Sequence, residues 1–151
     1  MKVIIEAMLS GLVGTAGMTV VMWLITRSGL AHADMIRAIG SIFTRSYKDS
    51  VIPGIIVHFG VGMIIAFFYV LIISILDPVS TIKIVGAGAM IGIFHGVTFS
   101  FLLVVAVAEH HPLEQFKTAG SEVAVAHLAG HIVYGLLVGA VVAATGVKIV
   151  L

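Results

Sequence analysis

Two histidines stand four residues apart in HLAGHIVYGLLVG, His127 and His131. On a helix that spacing puts both imidazoles on one face, separated by ~6 Å along the axis. It is the spacing by which one helix offers two ligands to a metal ion. His58 opens HFGVGMIIAFFY, and His95 sits in GIFHGV. All four rings lie in runs that are otherwise apolar. An ionisable residue in a membrane-crossing run costs a few kcal/mol, ~3 on insertion scales, and turns inward toward a partner. Three chemistries suit such a set. Neutral imidazoles bind transition metals such as Zn, Cu, Fe or Ni. Two histidines from facing helices can ligate the iron of haem b, with glycine stripes making room for the flat ring. Histidines also titrate near neutrality and can relay protons in a carrier. The plain alternative is that each ring hydrogen-bonds a backbone carbonyl or a Ser/Thr across a helix interface.

A second concentration of ionisable groups lies in AEHHPLEQF, where Glu109, His110 and His111 run together and Glu114 follows. Carboxylates at 109, 114 or 122 could complete or orient a metal shell. The expected cofactor ligands are thus His58, His95, His127 and His131. The expected metal set takes in His127, His131, His58, Glu122, His110, His111 and Glu109. The bland reading of His110–His111 is a wet polar loop. Cysteine is absent, which removes disulfides, iron–sulfur clusters and thiolate metal sites. There is no P-loop, nucleophile elbow or dinucleotide fingerprint. GAGAMIGIFHG lies inside an apolar run with no strand before it, so it is not a phosphate loop. Nothing in the sequence specifies an enzyme reaction.

The elements that must carry these residues follow from composition. Of 151 residues, 60% are hydrophobic and only 10% charged, against about one quarter charged in a soluble domain. The net charge of +1 provides no basic face for nucleic acid. Four segments reach the ~20 residues that a bilayer requires. They are roughly 4–27, 52–76, 81–108 and 121–148, in one transmembrane domain covering 1–151. The first is read as a retained span, because a signal peptide has a shorter apolar core. Pro53 falls near the first turn of the second span, where a missing N–H costs nothing. Asp77 and Pro78 end it, and Ser121 is the expected N-cap of the fourth span.

The linker 28–51 holds Met35, Ile36, Ile39, Ile42 and Phe43 at helical spacing among Arg37, Arg45 and Lys48. That pattern predicts a short amphipathic helix at the interface. Alternation places the 28–51 and 109–120 connections on one membrane face, side B, and the 77–80 turn on the other, side A. Side B holds five Lys/Arg and side A three, a margin that only weakly favours B as cytoplasmic. His32, His110 and His111 fall in side B loops. His58, His127 and His131 lie two to three turns inside from B, and His95 sits near mid-span. Trp23 suits an interfacial anchor. Tyr69 and Tyr134 read as packing or hydrogen-bonding residues, and Met18, Met22, Met63 and Met90 as core filling rather than Cu(I) ligands.

The second and fourth spans share a pattern. His58 is followed at +4 and +8 by Gly62 and Ala66, and His131 by Gly135 and Gly139. Spans one and three carry Gly11, Gly14, Gly17 and Gly88, Gly92, Gly96. Small residues at four-residue spacing let backbones approach closely in lipid. The simplest architecture is an all-α, integral membrane four-helix bundle built from two related helical hairpins of like orientation. GLVGTAGMT, DMIRAIGS, HFGVGMIIAFFY and HLAGHIVYGLLVG together resemble an uncharacterised family of small four-span prokaryotic membrane proteins, the YagU-like type. That resemblance implies a fold and a prokaryotic cytoplasmic membrane, and no activity. The Glu109–His111 cluster lies outside its pattern.

The leading expectation is a polytopic membrane protein that binds a transition metal or haem b through intramembrane histidines, for electron transfer or metal handling. The alternatives are a non-catalytic accessory subunit of a larger membrane complex and a small proton-linked carrier. Its surroundings would be the lipid bilayer and either further copies of itself or a larger membrane complex.

Overall fold

The computed structural model describes residues 2–103, 108–147 and 149, and it is all α-helical. Four helices are long and apolar enough to cross a bilayer: α1 (Lys2–Arg27), α3 (Val51–Leu76), α4 (Thr81–Leu102) and α6 (Ser121–Thr145). Two short helices lie on side B, α2 (Met35–Thr44) and α5 (Glu114–Lys117). Many large apolar side chains point outward, among them Ile52, Ile56, Phe68, Ile82 and Phe94. A water-soluble monomer rarely exposes so much contiguous apolar surface. For a chain with four spans this is the lipid-facing coat, and the protein is an integral membrane protein.

The helix ends have local causes. Asp77 adopts a left-handed conformation at φ 42° and closes α3 through its N–H on the Ile73 carbonyl, just ahead of Pro78. Gly146, at φ 65°, ends α6 in the same way. The α6 start differs from expectation. Ser121 is the first helical residue rather than the cap; Gly120 holds the cap position and there is no side-chain cap bond. The expected third and fourth spans run on through 104–107 and to 148, positions outside the described residues.

The spans are arranged as an arc, α3–α1–α6–α4, in which α6 packs broadly on both α1 and α4 while α3 barely meets α4. Glycine sets the close contacts. A Cβ on Gly11 would fall 2.7 Å from Met63 Cα and 2.8 Å from the Gly62 carbonyl. A Cβ on Gly88 would run into the Gly135 carbonyl and lie 3.1 Å from Gly139 Cα. So the small stripe of α3 faces α1, the small stripe of α6 faces α4, and each hairpin closes by the same device. The open side of the arc lies between α3 and α4 and is bridged by Tyr69, whose hydroxyl is 3.0 Å from His95 Nδ1.

The amphipathic linker helix forms where its spacing predicts, over Met35–Thr44. Asp34 caps it by accepting from the Arg37 N–H, and Arg45 ends it at φ 51°. The helix is fastened to α3 at backbone distance. A Cβ on Gly40 would overlap the Ser50 carbonyl, and one on Gly54 the Ile36 carbonyl. On the wet side, Arg37 donates to the Tyr47 carbonyl at 2.6 Å and stacks 4.4 Å over its ring. Partial burial, then the Asp34 carboxylate, raises the Tyr47 phenol above its ordinary pKa. Trp23 is exposed near the side B end of α1, with the Arg27 guanidinium 5.2 Å above its ring, as an interfacial anchor requires.

Candidate functional site

The gap between α3 and α4 is a chamber of about 230 Å³ in the side B half of the bundle. His58 from α3, His95 from α4 and His131 from α6 all line it, with Met18, Met35, Thr15 and Tyr134. Three imidazoles expected to converge from separate spans therefore do so. His95 and His131 touch edge to face, with ring centroids 4.6 Å apart. Tyr69 and Phe99 pack on His95 at 5.9 and 4.7 Å. Tyr134 donates a 2.6 Å hydrogen bond to the Gly62 carbonyl, tying α6 to α3 across the chamber wall.

His127 lies one turn closer to side B and borders a second cavity of about 140 Å³. Asp34, Ala38, His111, Phe116 and Glu122 share that cavity's wall. Met35 lines both spaces, and a third at the α1–α2–α3 junction, so its side chain stands where they meet. The His127 and His131 rings are 6.4 Å apart, in agreement with the separation expected from their spacing.

Hydrogen bonds fix the tautomers. His127 Nδ1–H donates to the Val123 carbonyl at 2.9 Å, and His131 Nδ1–H donates to the His127 carbonyl at 2.8 Å. A carbonyl only accepts, so in the neutral rings Nε2 is left carrying the lone pair. His127 Nε2 meets Met35 Sδ at 3.4 Å. His111 is the opposite case. Its Nδ1 accepts from the Leu113 N–H at 3.1 Å, and its Nε2–H donates to the Ala38 carbonyl at 3.0 Å. It is only 3% exposed. Far from being a wet loop residue, His111 clamps the 109–113 turn onto α2 and has no nitrogen to spare.

The other expected ligands are dispersed. Glu109 and His110 are exposed on the side B turn, and Glu122 is exposed in the first turn of α6. Among the described residues no three His, Asp or Glu side chains gather closely enough to hold a metal ion. The expected seven-residue shell is thus not assembled: Glu109 and His110 stand out on the turn, and His111, which borders the outer cavity with His127 and Glu122, has both ring nitrogens engaged. Two chamber residues escaped the sequence reading. Met35 counted as one apolar member of an amphipathic stripe, where a thioether and an isobutyl group are indistinguishable. Thr15 is 1% exposed, and its hydroxyl has no hydrogen-bond partner among the described residues. Its only sequence signal is a hydroxyl inside a glycine-rich span. Of the methionines expected in the core, Met18 and Met22 are buried, but Met90 is 51% exposed on the lipid face.

Fold and site together define a class: a four-span, all-α integral membrane bundle with an imidazole-lined chamber in one leaflet. The chain belongs to the family of unknown function DUF6789, which matches residues 1–148. No curated protein and no solved structure matches it. The likeness to the YagU-like type remains one of glycine motifs in a four-span frame.

Proposed function

We propose that this protein binds a transition-metal ion inside the membrane, in the side B leaflet, through imidazole nitrogens of the spans. One observation carries the reading. His127 and His131 both commit Nδ1–H to a main-chain carbonyl and present an unprotonated Nε2 to the cavities. Metal-binding histidines are oriented in this way, with the far N–H held by a carbonyl or carboxylate that fixes the tautomer and raises ligand basicity.

An ion suits the space better than haem b. Axial imidazoles stand on opposite faces of a macrocycle, whereas His95 and His131 are in direct ring contact. The chamber, about 230 Å³, is also smaller than the ~300–1,000 Å³ of ordinary small-molecule sites. Both cavities lie toward side B, which suits metal handling from that face.

The test is metal analysis of protein purified in detergent and exposed to a panel of divalent and monovalent ions. About one equivalent per chain is expected, lost in His131→Ala and His127→Ala and kept in His110→Ala. A protein that binds no ion and shows no visible band would end the reading. Co-purification with a large membrane partner would then favour the accessory role.

A further inference from the structure

We infer that the ion is monovalent copper and that Met35 supplies a thioether to it beside His127. This rests on the metal-binding reading above and goes further, by naming the ion and a ligand from outside the spans. The starting point is the 3.4 Å approach of His127 Nε2 to Met35 Sδ. With Nδ1–H given to Val123, neutral His127 turns a lone pair toward a sulfur that has no hydrogen. Two electron donors therefore face each other inside the bundle. A proton on Nε2 would bridge them by one weak N–H···S bond, since a thioether is a poor acceptor. A soft cation bridges them by two coordinate bonds, since the thioether is a good ligand for it.

The separation fits. With bonds of zinc length, ~2.0 Å to imidazole nitrogen and ~2.3 Å to sulfur, a tetrahedral angle places N and S about 3.5 Å apart. The observed 3.4 Å is close to that distance.

The donor types select the ion. The chamber is lined by Met18, Met35, His58, His95 and His131, with no carboxylate. His127 itself borders the outer cavity, whose wall also carries Asp34 and Glu122, so the softness of the site rests on the thioether at the contact; the chain has no cysteine. Thioethers favour Cu(I), whereas carboxylate and water suit harder ions. Among the described residues no three His, Asp or Glu ligands gather, an arrangement poor for zinc, which takes at least three protein ligands in catalytic sites and four in structural ones. Met35 also marks the route. It separates the outer cavity at the side B surface from the chamber, so an ion entering from B reaches His127 and Met35 first.

The experiment titrates the full chain in detergent with Cu(I), under reducing, oxygen-free conditions, against a chromophoric Cu(I) chelator. Zn(II) is titrated in parallel, and the copper X-ray absorption edge is recorded on selenomethionine-substituted protein. The expected result is one Cu(I) with selenium in its first shell. Met35→Leu, which keeps the volume, should weaken Cu(I) binding at least tenfold and leave the melting temperature within a few degrees. Copper ringed by nitrogen alone, or Met35→Leu with unchanged affinity, overturns the inference and leaves the metal-binding reading standing. So does binding of Zn(II) in preference to Cu(I). Failure to bind any ion overturns both. If Met35→Leu does not fold, the selenium signal in Met18→Leu and Met22→Leu decides: it persists if Met35 is its source, and its loss in either overturns the inference.

Discussion

Gly92→Ala drives a one-carbon wedge between the helices that carry His95 and His131. A Cβ at Gly92 would sit 2.5 Å from the His131 carbonyl oxygen, and 3.3 Å from both His131 C and Ile132 Cα. These are backbone atoms and cannot rotate aside. Restoring an ordinary 3.4 Å contact requires α4 and α6 to part by about 0.9 Å at this level. A gap of that size forfeits roughly a quarter to a half of the dispersion energy of the facing atoms. Overpacking of this kind costs ~1–3 kcal/mol. Relief of glycine's conformational entropy returns ~0.5–1 kcal/mol. The net expectation is a loss of about 1 kcal/mol, a fall of ~2–4 °C in melting temperature. The separation also moves His131 away from His95, so metal affinity should fall about tenfold, as when a supporting contact of a metal ligand is lost. The assay is thermal unfolding in detergent alongside ion titration. Gly60→Ala and Gly86→Ala are the controls, because an added Cβ at either meets nothing within 4 Å. They should be neutral or slightly stabilising. A Gly92→Ala protein as stable as wild type, or controls that fall equally far, would refute the claim that backbone contact sets the α4–α6 spacing.

Tyr134→Phe removes the 2.6 Å bond to the Gly62 carbonyl and should cost ~0.5–1.5 kcal/mol in the same melts. His111→Ala leaves the Ala38 carbonyl and Leu113 N–H without their partner, for a loss of ~1–3 kcal/mol. Limited proteolysis should then cut the 109–118 connection faster, while bound metal is retained. Acidification should release the ion, because protons compete for the same Nε2 lone pairs; dialysis at about pH 5 should strip metal that survives dialysis at about pH 7.5. Unchanged metal content across that range would count against imidazole ligation.

The spans were legible because length and hydropathy are properties of single segments, and a bilayer imposes both. The glycine stripes were legible too, since Gly11, Gly88 and Gly92 work by lacking an atom, which the sequence states outright. The meeting of His58, His95 and His131 could be read from their common depth in separate spans. The environment of each ring could not. Nothing in HHPLEQF distinguishes buried His111 from exposed His110, because the difference comes from where α2 lies, seventy residues earlier in the chain. Met35 was hidden for a related reason. Helical spacing shows which residues share a face, but not that this face roofs a cavity containing a histidine. The same limit misplaced the Ser121 cap, where Gly120 serves with no side chain at all.

The fastening of α2 to α3 through Gly40 and Gly54 has a bearing on the shape of the chamber. A helix pinned by its main chain cannot flap with the lipid headgroups, so the ceiling over the chamber is rigid and its height is set by two hydrogen atoms where side chains would otherwise be. Enlarging either residue would tilt that ceiling and shift the Met35 side chain it carries. The shape of the hollow would then change at positions that do not line it.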